Sequence, residues 1–197
     1  MHLDITFSKI ISNIFDPRIT NLLFLLYFSL FVLKSFFLAG FIIIYSCISL
    51  FFLNKKQNNI DHLDDYNFNN ISIRLIRYST FILTIILDII LLIANYFSTN
   101  QTGIIFFSLH IGISLLVMLI TFFLHFKISA HITFNGLIML YLFSPMYLQI
   151  ILFCIFTLIV GYARINLKKH NIYQVGTAFL IVMISFIIFD LLINVWI

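Results

Sequence analysis

Glutamate is absent from this chain, and charged residues of every kind fill only 9% of its 197 positions. A soluble domain carries about a quarter. The shortage excludes a water-soluble fold, because too few polar side chains remain to cover the surface of a domain this size. All seven acidic residues are Asp. Glycine (6), proline (2), cysteine (2) and tryptophan (1) are also scarce. Cys47 and Cys154 lie inside apolar runs. They lack the spacing of a disulfide framework or a zinc site and read as small buried hydrophobes. No signal peptide is expected: the first long apolar run begins near Asn21, and no small-residue cleavage site follows a short one. Neither a cofactor, a metal nor a nucleic-acid partner is expected.

What the chain does have is apolar sequence, 62% of all residues, gathered into long runs. The expected fold is all-α: a polytopic transmembrane bundle of about seven helices, six to seven, with almost nothing outside the bilayer. Residues 1–20 read as a short N-terminal lead-in with a turn at Asp16-Pro17. The run 21–53 would span roughly 50 Å as one helix at about 1.5 Å per residue. The hydrocarbon core is only about 30 Å thick, and Lys34 falls near the middle of the run. Two membrane helices are therefore expected, 19–33 and 36–53, with Lys34 at the interface; a steeply tilted or re-entrant pair also fits. Residues 54–74 form a polar loop, and 75–197 form the membrane core. In that core, helices are expected over 75–96, 104–125, 132–143, 147–163 and 173–196. Polar breaks fall at 125–131 and 164–171, separated by a helical hairpin turning at Ser144-Pro145.

Alternating the polar stretches between the two faces gives an orientation. One face collects Lys9, Arg18, Lys55, Lys56, Arg74, Arg77, Lys127, Arg164, Lys168 and Lys169, and the other receives Lys34 alone. The basic face is expected to be cytoplasmic, in what would be a bacterial inner membrane.

Two breaks on that face carry the chemistry. One reads Lys127-Ile128-Ser129-Ala130-His131; the other places Arg164, five residues, His170, three residues, Gln174. Two histidines, an arginine and a serine at a membrane surface suit phosphoryl transfer. Arg forks onto phosphate oxygens, one imidazole attacks phosphorus, and the other protonates the leaving oxygen.

The spacing Arg-x5-His-x3 resembles the last motif, Ser-Arg-x5-His-x3-Asp, of the type 2 phosphatidic acid phosphatase superfamily of membrane lipid phosphatases. Arg164 and His170 match it, and Val175-Gly176 continues in the same manner. Ser129 and His131 match the family's middle motif, Pro-Ser-Gly-His, a helical hairpin earlier. The phrase Ser12-Asn13-Ile14-Phe15-Asp16-Pro17 and the extra N-terminal helices are also similar to one branch of the family. The resemblance covers roughly residues 70–195. It implies that His170 is the nucleophile of a phosphohistidine intermediate and His131 the leaving-group acid. Arg164 and Ser129 would hold phosphate, with Lys127, Arg74 and Arg77 as further phosphate-binding residues. The partner would be a membrane lipid carrying a phosphate or diphosphate. Family members of known orientation often work on the outer face, whereas the charge count here points inward.

Several positions depart from the pattern. Gln174 replaces the Asp that orients the nucleophile, Ala130 replaces Gly, Ala163 replaces Ser, and the first motif, Lys-x6-Arg-Pro, is missing. Gln174 is expected to orient His170 through its amide oxygen, without a charge. Plainer readings stand beside these. Arg164, Lys168 and Lys169 also suit an anchoring loop, and His131 and His170 suit interfacial histidines, as do His62 and His125. The departures also fit a weak or inactive family member, acting as a lipid-binding or transport-related protein. Asp88, His110 and Asp190 lie inside apolar helices, where ionisable groups face the bundle interior. Counting rise from the basic face puts His110 and Asp190 at similar depth, with Asp88 shallower, which suits a structural His110–Asp190 hydrogen bond or, alternatively, a proton or ion path.

Overall fold

The computed structural model describes the backbone of residues 2–57, 71–142 and 146–196, and the side chains of 5–47, 82–142 and 146–195. The Ser144-Pro145 turn, His62 and the acidic residues of the polar loop lie outside the described residues, as do the side chains of Lys55, Lys56, Arg74 and Arg77. Among the described residues every regular element is helical. In chain order they are α1 (His2–Ile14), α2 (Pro17–Tyr27), a π-helical turn (Phe28–Val32), α3 (Phe36–Gln57), α4 (Ile71–Phe97), α5 (Gln101–Phe123), α6 (Ala130–Leu142), α7 (Met146–Asn166) and α8 (Ile172–Trp196).

Local chemistry sets the boundaries. Asp16 caps α2 by accepting from the Arg18 backbone N–H at 2.8 Å, and Pro17 takes the first helical position, where its missing N–H costs nothing. Asn100 caps α5 by accepting from Gly103 N–H at 3.2 Å. The run 21–53 breaks where the π-turn closes with Leu33 N–H donating to Phe28 O at 3.0 Å and Lys34 turns left-handed, φ 51°. Three later breaks also use left-handed residues that are not glycine: Thr99, His125 and Lys168. At the end of α7, Lys169 N–H donates to Arg164 O at 3.0 Å and Lys168 N–H to Ile165 O at 2.9 Å. That pair of bonds is a Schellman motif.

Four segments are long and apolar enough to cross a bilayer: Ile5–Val32, Gln101–Phe123, Met146–Asn166 and Ile172–Val195. Phe36–Cys47, Ile82–Phe97 and Ala130–Leu142 are shorter apolar stretches. The outward faces are apolar too, with Leu158, Leu180 and Leu191 mostly exposed, as befits helices surrounded by lipid. The chain is thus a helical membrane protein. Where a lead-in was expected, the chain forms α1, which packs along α7.

Helix α6 is the centre of the bundle. It touches α2, α5, α7 and α8, and residues 132–138 are all buried. Beside it Phe24, Phe28, Phe106 and Phe107 pack edge to face with one another and with Tyr141 of α6, with centroids 4.9 to 5.8 Å apart. Gly136 lets α6 approach α7 and α8, because a Cβ there would lie 2.5 Å from Phe153 Cε2 and 2.7 Å from Val182 Cγ1. This close approach yields a test. Gly136→Ala should cost about 1–3 kcal/mol of stability by overpacking, read as a lower melting temperature in detergent. Gly40→Ala, with nothing within 4 Å of the added methyl, should be neutral or slightly stabilising. Equal melting of the two variants would remove the close-packing argument.

Candidate functional site

Three chain segments meet at one end of the bundle: the α5–α6 break, the α7–α8 break and the α1–α2 junction. The α7–α8 break is built first. The Schellman turn at Lys168 reverses the chain, and His170 N–H returns to Arg164 O at 3.3 Å, holding the two residues together. Asn171 then opens α8. Its Oδ1 accepts from Gln174 N–H at 2.9 Å, and Gln174 Oε1 accepts from Asn171 N–H at 3.1 Å. This reciprocal pair is a capping box. The pattern Asn-x-x-Gln announces it in the sequence, a signal separate from the spacing between His170 and Gln174.

Gln174 serves both purposes. His170 Nδ1 lies 3.1 Å from the same Oε1. A backbone N–H can only donate, so the Gln174 atom facing Asn171 is the oxygen, and the His170 nitrogen facing it carries the proton. Nε2 is left with its lone pair. His170 is 8% exposed. Burial first, then the charges of Lys127 and Arg164, push its pKa down to about 3, against the pull of the Gln174 bond. The imidazole is therefore neutral at pH 7, the form in which nitrogen is a nucleophile.

Helix α6 supplies the facing wall. Ser129 O accepts from Ile132 and Thr133 N–H, which places Ser129 at the helix N-terminus. Its Oγ is buried, and no group among the described residues hydrogen-bonds to it. An unsatisfied hydroxyl beside the positive end of a helix is a place for an anion. His131 lies in the first turn of α6, its carbonyl accepting from Asn135 Nδ2 at 2.7 Å. Arg164, in the last turn of α7, is close enough to act electrostatically on both histidines, and His131 acts on His170. His131, His170, Arg164, Lys127 and Gln174 thus come together, with Ser129 two residues from His131. Arg74 and Arg77 lie on the backbone of α4, their side chains outside the described residues. Lys168, Lys169 and His125 are exposed, as an anchoring surface would be.

The N-terminal segment also reaches this end, which sequence reasoning missed. Arg164 Nη1 donates to Ser12 Oγ at 2.7 Å, and Asn166 Nδ2 to Ser8 Oγ at 2.9 Å. Asp16 and Arg18 form a chelated ion pair at 2.7 Å, and both act electrostatically on His131. The available signal was Ser8 and Ser12, one turn apart on a helix of otherwise mixed character.

The pairing expected for His110 is corrected. His110 Nδ1 lies 2.6 Å from Asp88 Oδ2, and Asp190 Oδ2 accepts from Asn194 instead. Helices α4 and α5 form an antiparallel hairpin around Thr99, and Asp88 and His110 stand eleven residues either side of it, about 16 Å deep on each helix. Counting from the basic face missed this because α4 begins at Ile71, four residues before the expected start.

No family model, no curated protein and no solved structure matches the chain.

The geometry of His170 carries its own test. Between about pH 6.5, the ordinary histidine value, and about 3, the unfolded chain binds a proton that the folded chain refuses. Stability contributed by neutral His170 is complete above pH 6.5 and declines as pH falls toward 3. Nitrogen-15 NMR of labelled histidines should show His170 neutral with Nδ1 protonated at pH 5, and melting temperature should fall with acid less steeply in His170→Asn. A charged His170 at pH 5 would contradict the assignment.

Proposed function

We propose that the chain is a membrane phosphatase that hydrolyses a lipid phosphate or diphosphate through a phosphohistidine on His170, as a divergent type 2 phosphatidic acid phosphatase. The observation that carries this reading is the neutral, Nδ1-protonated His170 beside Arg164, Lys127 and His131. An Nε2 lone pair next to two cations is suited to attack on a bound phosphoryl group. The site would lie in a bacterial inner membrane with its basic end cytoplasmic.

A lipid substrate is favoured over a soluble one by a groove next to the site. About 350 Å³ of space lies between α2 and α6, lined by Phe15, Leu23, Phe24, Ile138, Met139 and others. Asn135 lines it too and bonds both the His131 carbonyl and the Phe15 carbonyl. An apolar chain in this groove would leave its phosphate at the level of His131.

The chemistry then runs in two steps. His170 Nε2 attacks phosphorus, the P–N bond forms and the P–O bond to the lipid breaks. Burial first, then the charge of Arg164, hold the His131 pKa down at about 3 without substrate; a bound phosphate would favour its protonated form, which gives its proton to the leaving oxygen. Gln174 keeps hold of Nδ1–H throughout. Water next attacks phosphorus and yields its proton to His131, the P–N bond breaks, and phosphate leaves with His170 neutral again. Arg164 and the Ser129 hydroxyl hold the phosphoryl oxygens.

A second reading, a lipid-binding or transport-related protein without turnover, is favoured by one observation. The capping box with Asn171 accounts for Gln174 without any catalytic role.

Phosphate release from a panel of phosphatidic acids and prenyl diphosphates, with purified protein in detergent, separates the two. His170→Ala should abolish turnover, and His131→Ala should slow it roughly 10²–10⁴-fold, most for poor leaving groups. Release by His170→Ala at the wild-type rate, or no release from any substrate, would sink the phosphatase reading.

Gln174 offers a graded test. Gln174→Asp should keep the fold and raise the rate, because a carboxylate stabilises the imidazolium as well as orienting it, and a charge-assisted bond is roughly twice as strong as a neutral one. Gln174→Leu should lower the rate and also cost about 1 kcal/mol of stability through the lost cap. Three equal rates would confine Gln174 to capping.

A further inference from the structure

The α1 helix has a hydroxyl at the candidate site that nothing so far explains. Ser12 is 6% exposed and stands on the helix face that meets the end of α7. Its Oγ receives Arg164 Nη1 at 2.7 Å across 152 residues of sequence. An oxygen at that distance from a guanidinium nitrogen is in the position a phosphoryl oxygen takes. Accepting from Arg164 leaves the hydroxyl proton to give, and arginine has no acceptor to receive it.

Docking of α1 does not need this bond. One turn before Ser12, Asn166 Nδ2 donates to Ser8 Oγ at 2.9 Å. Three residues after it, Asn135 Nδ2 donates to Phe15 O at 3.0 Å. The Phe15 ring packs edge-on against Phe156 of α7 at 5.1 Å. These contacts hold the helix on both sides of Ser12. The surroundings of Ser12 are those of the site itself, because its carbonyl lies within hydrogen-bonding reach of His131.

We propose that Ser12 is a substrate-binding residue: its hydroxyl, seated on Arg164, donates to an oxygen of the bound phosphate, so that α1 forms one wall of the phosphate site. This rests on the phosphatase reading and names a ligand for the same phosphate. With Ser12 in that role the phosphoryl group is held from three elements: α1 through Ser12, α6 through Ser129 and α7 through Arg164. Phe15, three residues on, lines the apolar groove. One short stretch of chain therefore contacts both the phosphate and the start of the lipid chain, and head and tail are recognised together.

The test measures binding of inorganic phosphate to the full-length protein in detergent, with KM and kcat on a lipid phosphate alongside. Ser12→Ala should weaken phosphate binding and raise KM roughly tenfold, the effect of one hydrogen bond to a charged group, with a smaller change in kcat. Ser12→Thr, which keeps the hydroxyl, should restore most of the affinity. Ser12→Asp should pair its carboxylate with Arg164, exclude phosphate and keep a wild-type melting temperature. Ser8→Ala loosens α1 without touching the phosphate and should leave affinity unchanged.

Wild-type phosphate affinity in Ser12→Ala, together with lost affinity in Arg164→Ala, would overturn the role of Ser12 and leave the phosphatase reading intact. Equal weakening by Ser8→Ala and Ser12→Ala would make the contact structural and overturn it as well. Failure of Ser12→Ala to fold would do the same, since the other contacts are argued to suffice for docking. If wild type and Arg164→Ala both bind no phosphate, the phosphatase reading fails and the role of Ser12 with it.

Discussion

A polar side chain in a lipid-surrounded bundle must find its partner inside the protein, because hydrocarbon supplies no hydrogen bonds. In this chain that constraint acts on very few groups, and their positions organise everything else. Several interior polar atoms bond to the backbone within a turn of helix, as Ser29 does to Leu25 O and Ser185 to Ile181 O, or to another side chain, as His110 does to Asp88, while Ser114 Oγ and Thr157 Oγ1 find no partner among the described residues. Most charged side chains stand at helix ends. There, one end of the bundle gathers Arg164, Lys127, His131 and His170 with Ser8, Ser12, Asp16 and Arg18. The concentration of chemistry at one face is a consequence of the solvent before it is a matter of function.

The breaks themselves are made without glycine. Lys34, Thr99, His125 and Lys168 take up the left-handed conformation that ends helices. Each carries a polar side chain that is stable at a water-facing end and costly within the bilayer. Conformation and solvation therefore favour the same boundary. A glycine serves instead at a close approach of helices, as at Gly136, with Phe153 and Val182 against it. That approach brings α7 and α8 onto α6 and so brings Arg164 and His170 towards His131.

At the site, one amide oxygen joins structure to chemistry. Gln174 Oε1 completes the cap of α8 and sets the tautomer of His170. An Asp at this position would do both with a charge, and in the buried surroundings of His170 that charge would favour the protonated ring. The glutamine keeps the ring neutral and oriented, which suits attack and withholds help from the cationic intermediate. The exchange of Asp for Gln shifts the balance between those two demands without emptying the position.

Sequence alone determined those features that depend on neighbours along a helix. Apolar runs too long and too uncharged for water marked a helical membrane protein. His170 and Gln174 were legible as neighbours from their four-residue spacing, and Arg164 and His170 from their closeness in sequence, which the turn at Lys168 folds into contact. The hairpin between the two polar breaks likewise returned His131 and Arg164 to the same end. Tertiary structure alone decided the contacts whose partners are far apart in sequence. Ser12 on Arg164 spans 152 residues and Ser8 on Asn166 spans 158, and nothing in helical periodicity links them. The partner of His110 was equally hidden until the start of α4 and the Thr99 turn were known, since a few residues of error in a helix boundary shift the apparent depth by a full turn. Periodicity orders a helix from within, but the register between helices is set by how their side chains pack.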